Sequence, residues 1–202
     1  MTKDRLEAFS DGVFAISITL LVLNIRIPGA EVRTDGQLRQ ALKAAWPNLL
    51  TFVFSFLVVG VFWVAHQRIC FYIRVVNHYI LWANIFYLLT IALIPFPAAT
   101  LATHPLFPSA IILYCGLLFL CAAQHFIFLF YIHRHPVFRA PEYTERAHRV
   151  AVRISGVGPV CYLCAAVFSF VNPLISFCFI LAALLFYIVF IHYLAPGDKV
   201  HS

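Results

Sequence analysis

Long apolar runs recur six times along this chain, and no other feature restricts its fold so tightly. Each is about 20 residues or longer, the length an α-helix needs to cross a hydrocarbon layer of about 30 Å. The runs fall at about 6–27, 47–70, 77–101, 108–133, 147–171 and 174–194. A transmembrane β-barrel would alternate apolar and polar residues instead of sustaining such runs. A soluble domain would carry about 25% charged residues, whereas this chain of 202 residues has 11% charged and 63% hydrophobic. The expected class is therefore all-α, a polytopic membrane protein with six transmembrane helices. No linker, low-complexity stretch or internal repeat divides it, so a single domain over 1–202 is expected.

The loops orient it. With six spans, both termini lie on one side. That side receives Lys3, Arg5, Arg68, Arg74, Arg134, Arg139, Arg146, Arg149, Arg153 and Lys199, and the other Arg26, Arg33, Arg39 and Lys43. The positive-inside rule assigns the richer side, and hence both termini, to the cytoplasm. The same rule accounts for the formal charge of +6, so no nucleic-acid partner is expected. The first run contains Asp11, ends in Asn24, Arg26 and Pro28 and lacks a small-residue cleavage site, and is read as retained. Between the first two runs, Leu38, Leu42 and Trp46 stand at helical spacing, predicting a short helix on the membrane surface.

Ionisable groups inside a span are rare and need a reason. Asp11 lies inside the first run, where an unpaired charge costs on the order of 2.5–3.5 kcal/mol on insertion scales. Arg5, His66 and Asn84 fall at a similar depth on the cytoplasmic side and are the expected partners. On a helical wheel of about 100° per residue, Ile16, Leu20, Leu23 and Ile27 share one face. Asp11 falls about 140° away from Ile16, so the carboxylate points away from the aliphatic stripe. By spacing alone, that stripe fits lipid, another helix or a pore.

The six cysteines, Cys70, Cys115, Cys121, Cys161, Cys164 and Cys178, lie in or beside apolar runs and read as packing residues. Cys161 and Cys164 have CxxC spacing but no second pair to complete a metal site. His125 and His192 are compatible with axial haem ligation, although solvated or capping histidines are far commoner. No nucleophile–base pair or metal-ligand cluster stands out, so neither an enzyme nor a metalloprotein is expected.

The heptad Arg5-Leu6-Glu7-Ala8-Phe9-Ser10-Asp11 resembles the RxxxFSD signature of the transmembrane protein 175 family. These are endosomal and lysosomal potassium channels and their prokaryotic relatives. The resemblance continues through the rest of the first run, through Trp63-Val-Ala-His66-Gln67-Arg68 in the second, and through Asn84 to Leu89 with Pro95 and Phe96 in the third. It covers the first half of the chain; the last three runs agree only in number and hydrophobicity.

The resemblance implies an integral multi-pass protein of a prokaryotic cell membrane. It would form a homotetrameric potassium-conducting channel whose partners are its own copies, membrane lipid and permeant monovalent cations, with no cofactor beyond the permeant potassium. Ile16 would form the narrowest ring of a central pore lined by the first helix, with Leu20 and Leu23 as further rings toward the outer mouth. Thr19 would touch permeating ions, and Arg5, Phe9, Ser10, Asp11, His66 and Asn84 would hold the helix in place. The chain has no TVGYG filter, so the hydrophobic constriction would serve as gate and modest selectivity filter. The alternative is a proton-coupled secondary transporter that uses Asp11 and His66 as a relay.

Overall fold

The structure, a computed structural model, describes residues 2–25, 32–140 and 145–193, without the side chains of 147, 148 and 191–193. Ile27, the outermost member of the aliphatic stripe, and the side chain of His192 lie outside the described residues. Among the described residues, six helical segments are long and apolar enough to cross a membrane: Lys3–Asn24, Trp46–Tyr72, His78–Thr103, Pro108–Arg134, Arg149–Phe168 and Pro173–Phe190. Three are continuous: α3 (Trp46–Tyr72), α6 (Pro108–Arg134) and α9 (Pro173–Tyr193). The other three are interrupted, each for an identifiable backbone reason.

The first span is α1 (Lys3–Leu20) followed by a 3-10 turn, Leu21–Asn24. Asn24 Nδ2 donates to the carbonyl of Pro95 at 3.1 Å, tying this turn to the kink in the third span. That span consists of α4 (His78–Leu93) and α5 (Pro95–Thr103). The Ile91 carbonyl would take its α-helical bond from residue 95, but proline has no N–H. Ile94 N bonds it instead at 3.1 Å, tightening the turn. Asn77 caps α4 by accepting from Ile80 N at 2.7 Å, a contribution of about 1 kcal/mol.

The fifth span divides into α7 (Glu145–Ser155) and α8 (Val157–Phe168) at Gly156. Here a side chain from another helix completes the ladder. The Tyr187 hydroxyl of α9 accepts from Gly158 N at 2.8 Å and donates to the Ile154 carbonyl at 3.2 Å. These are the two backbone groups that an unbroken helix would join directly. The sequence expectation of one helix over 147–171 overlooked this break. Its local signs are Gly156, Gly158 and Pro159.

The expected surface helix is α2 (Asp35–Ala44). Thr34 and Gln37 close a reciprocal capping box, with Gln37 N to Thr34 Oγ1 at 3.3 Å and Thr34 N to Gln37 Oε1 at 3.2 Å. Leu38, Leu42 and Trp46 are exposed along one face, the pattern of a helix lying at a lipid interface.

The main core is built on α6, which packs against α4, α5, α7 and α8. Ile111, Tyr114, Leu118 and Cys121 are buried against Val59, Tyr87, Ile91, Tyr162 and Ile180. A second cluster lies toward the basic end, where Leu6, Ile69, Ile73, Ile80, Phe128 and Ile132 meet. There the connection after α6 is strapped to the connection after α3: Arg74 N donates to Phe138 O and Ala140 N to Tyr72 O, both at 2.8 Å. All six cysteines are free, and Cys70, Cys115 and Cys121 are buried in packed surroundings.

Candidate functional site: the first helix and its polar clasp

The first helix has two unlike faces. Leu6, Ser10, Phe14, Ser17 and Leu21, three or four residues apart, are buried against α3, α4 and α5. The opposite face is open: Phe9 is 55%, Ile16 60%, Leu20 42% and Leu23 65% exposed. Ala8, Gly12, Ala15 and Thr19 run beside them, also exposed. The Thr19 hydroxyl on this side donates to the Ile16 carbonyl at 2.9 Å.

Adjacent residues Ser10 and Asp11 attach α1 to two different neighbours. Ser10 Oγ donates to Leu6 O at 2.8 Å and accepts from Asn84 Nδ2 of α4 at 3.1 Å. The Asn84 carbonyl in turn accepts from His66 Nε2 of α3 at 2.7 Å. That bond fixes the imidazole tautomer with its proton on Nε2, leaving Nδ1 to face the Cys70 thiol at 3.7 Å. The ring stacks on Tyr87, with centroids 5.6 Å apart and planes 6° from parallel, and packs against Phe14 at 5.6 Å. Ser10, His66 and Asn84 are completely buried.

Asp11 is served separately. One carboxylate oxygen, Oδ1, accepts from Trp63 Nε1 at 2.8 Å and from Gln67 Nε2 at 2.5 Å, both on α3. Hydrogen bonds to a charged acceptor contribute about 1.5–3 kcal/mol each, the scale needed to hold a half-buried carboxylate near the end of a span. The expected partners therefore divide. His66 and Asn84 join Ser10, whereas Asp11 takes an indole and an amide. Arg5 is exposed and makes no hydrogen bond or ion pair among the described residues. No hydrogen bond joins Asp11 to His66 among those residues either.

Trp63 and Gln67 are the members of the clasp that sequence reasoning passed over. Their signal was present, since they stand one turn apart on α3 and flank His66, at the depth of Asp11. They are neutral donors, and a carboxylate needs donors and not necessarily a cation.

Elsewhere, His125 Nε2 lies 3.3 Å from the Ala65 carbonyl. No group of three or more histidine, cysteine or acidic side chains among the described residues is placed to hold a metal ion.

Residues 5–95 match the family model described as endosomal/lysosomal potassium channel TMEM175. The chain is 36% identical over 187 residues to a potassium channel of Chamaesiphon minutus, covering 88% of this chain and 90% of that protein. It is also 45% identical over 100 residues to a potassium channel of Streptomyces collinus, over 50% of this chain and 48% of that protein. The chain thus spans nearly the whole of the first relative and about half the length of the second. Among solved structures it is similar to a lysosomal potassium-selective channel TMEM175 homolog from Chamaesiphon minutus. That similarity has a TM-score of 0.83 at 29% identity, over 94% of this chain and 97% of the other. The RxxxFSD heptad, the six-span fold and near full-length similarity to a bacterial relative converge: the chain belongs to the TMEM175 family.

Proposed function

We propose that the chain is one subunit of a potassium-conducting cation channel, assembled as a homotetramer around its first helix. The observation that carries this reading is the division of α1 into a clasped face and an open aliphatic face bearing Ile16, Leu20 and Leu23. Relatives described as potassium channels, from Chamaesiphon minutus and Streptomyces collinus, support the choice of ion. A closed fourfold arrangement brings four copies of one face around a single axis. Ile16 forms the narrowest ring, and Leu20 and Leu23 form further rings toward the outer mouth.

Thr19 borders this path. With its proton engaged by Ile16 O, the hydroxyl oxygen keeps lone pairs for a passing cation. The aliphatic rings gate by dewetting and select modestly through partial dehydration. Ser10, Asp11, His66 and Asn84 act by fixing the azimuth of α1, and Arg5 and Phe9, on its open side, act across the boundary with a neighbouring copy. Residues 1–202 form one channel domain.

The test is potassium flux into liposomes carrying the purified protein. Flux above that of empty liposomes is expected. Ile16→Asn raises it, and a barrier lowered by ~1.4 kcal/mol corresponds to about tenfold. Asp11→Asn retains conductance once assembled, whereas a proton-coupled carrier would lose transport. Absence of flux, with no change on Ile16→Asn, refutes the channel.

A further inference from the structure

The helix α7 carries its packing on one side and its charge on the other. Ala151, Ile154 and Ser155 turn inward, toward α3 and α9, around a cavity with room for a few waters. Arg146, Arg149 and Arg153 fall within about 60° of one another on the opposite face, and all three are exposed.

That face borders an aromatic strip on α6. Gly156 continues the helical backbone at φ −72° and ψ −17°, so it shares a face with Arg153 and Arg149, one and two turns back. A side-chain carbon built on Gly156 would stand 3.7 Å from the Phe126 ring. Phe126 stacks on Phe130, with centroids 6.1 Å apart and planes 17° from parallel, and the Arg134 guanidinium lies over the Phe130 ring at 5.0 Å. Successive spans run in opposite directions. From the contact of Phe126 with Gly156, the register therefore carries Phe130 to about the level of Val152 and Arg134 to that of residue 148. Arg134, Arg149 and Arg153 thus gather about the exposed end of the strip.

The connection holds too few carboxylates to neutralise them. Residues 134–153 contain five arginines and two glutamates. Glu145 is bonded to Arg139, and Glu142, outside the described residues, can balance one more. Arg134, Arg149 and Arg153 make no side-chain hydrogen bond or ion pair among the described residues.

Depth decides what can meet these charges. Phe126 is eight residues from the end of α6 at Arg134, about 12 Å along the axis. Arg153, one turn nearer the cytoplasm than Gly156, stands roughly 7 Å inside the span. An exposed guanidinium there has to extend to headgroup phosphates. A soluble acidic partner does not reach it.

We propose that Arg134, Arg149 and Arg153 bind the headgroup phosphate of one anionic phospholipid of the cytoplasmic leaflet, at the α6–α7 edge of the subunit. That leaflet supplies the complementary charge, and guanidinium groups are suited to paired contacts with phosphate oxygens. The Phe126–Phe130 strip gives the acyl chain a flat apolar wall. The bound lipid neutralises charge that the fifth span otherwise carries into hydrocarbon just before its break at Gly156.

Native mass spectrometry of the detergent-solubilised protein tests this by counting lipids retained after addition of phosphatidylglycerol or phosphatidylcholine. Wild type is expected to retain phosphatidylglycerol preferentially. Arg153→Gln weakens that retention roughly tenfold, the loss expected for one charge-assisted contact, and Arg149→Gln does so similarly. Arg74→Gln, which removes an exposed arginine from the connection after α3, leaves it unchanged. Phosphatidylcholine retention is the same in all four proteins.

Equal retention of the two lipids by wild type would overturn the proposal, as would undiminished phosphatidylglycerol retention in Arg153→Gln. An equal loss in Arg74→Gln and Arg153→Gln would overturn it too, since it would mean attraction to the whole basic side and not a site. Loss in Arg146→Gln with retention kept in Arg153→Gln would place the contact beyond the headgroups, where a soluble acidic partner binds, and would equally refute it.

Discussion

Replacing Tyr187 by phenylalanine removes one oxygen atom and leaves the ring that packs between α8 and α9. Its consequence can be worked out from two bonds. The hydroxyl stands in a broken rung of the fifth span, taking the Gly158 N–H at 2.8 Å and giving its proton to the Ile154 carbonyl at 3.2 Å. Without it, one donor and one acceptor of the backbone lose their partners together. An orphaned buried polar group costs about 1–3 kcal/mol. Membrane-protein cycles give a smaller net value per bond, averaging about 0.6 kcal/mol. The neighbouring cavity offers water partial access to Ile154 and Ser155. A loss near 2 kcal/mol is therefore expected.

Direct closure of the rung, Gly158 N to Ile154 O, would recover part of that loss. It requires α7 to straighten onto α8 around Gly156. Hydrogen exchange at residues 155–160 separates the outcomes, since 2 kcal/mol of local destabilisation accelerates opening roughly 30-fold. Reversible unfolding in mixed micelles supplies the global value. Exchange and unfolding both indistinguishable from wild type would refute the bridging role of Tyr187.

Other expectations concern the clasp and the strap. Asn84→Ala should destabilise the protein by about 1–3 kcal/mol, because it strands the His66 Nε2–H in a fully buried position. Reversible unfolding in mixed micelles, compared with wild type, reads this loss. At the basic end, the Arg139 guanidinium bonded to Glu145 holds that exposed carboxyl below its ordinary value of 4.5, aided by the charges of His133 and Arg149. A depressed folded value means the contact is fully present above 4.5 and is lost as pH falls through the lower folded value. Protection factors of the Arg74 and Ala140 amides should accordingly be flat from pH 7 to about 5 and fall in stronger acid, and Glu145→Gln should remove that dependence.

The large divisions of the fold were legible because hydrocarbon imposes a simple code: a helix that crosses must be apolar for about 20 residues. The kink at Ile94 was likewise legible, since Pro95 and Pro97 each remove a backbone donor. The division at Gly156 was harder to read, because it is stabilised by Tyr187, about 30 residues later in the chain. Sequence spacing within one span carries no trace of such a partner. The open direction of α1 followed from the angle between Asp11 and Ile16. The partners of Asp11 did not, because indole and amide donors are inconspicuous beside arginine and histidine.

Ser10 and Asp11 hold one end of the first span, and Asn24 holds the other, about 20 Å away. Between them no side chain of α1 makes a hydrogen bond to another helix among the described residues; Ser17 and Thr19 bond only their own backbone. Mechanically this is a rod clamped at both ends. Turning it about its axis would break contacts to α3, α4 and the α5 kink at once. Bowing its middle spares those hydrogen bonds but pulls Phe14, Ser17 and Leu21 out of their packing, whereas switching a side-chain rotamer on the open face disturbs neither. Ile16, Thr19 and Leu20 all stand between the two clamps on the unpacked side, so the motion available to the open face at low cost is rotamer change, not rotation or bending of the whole helix.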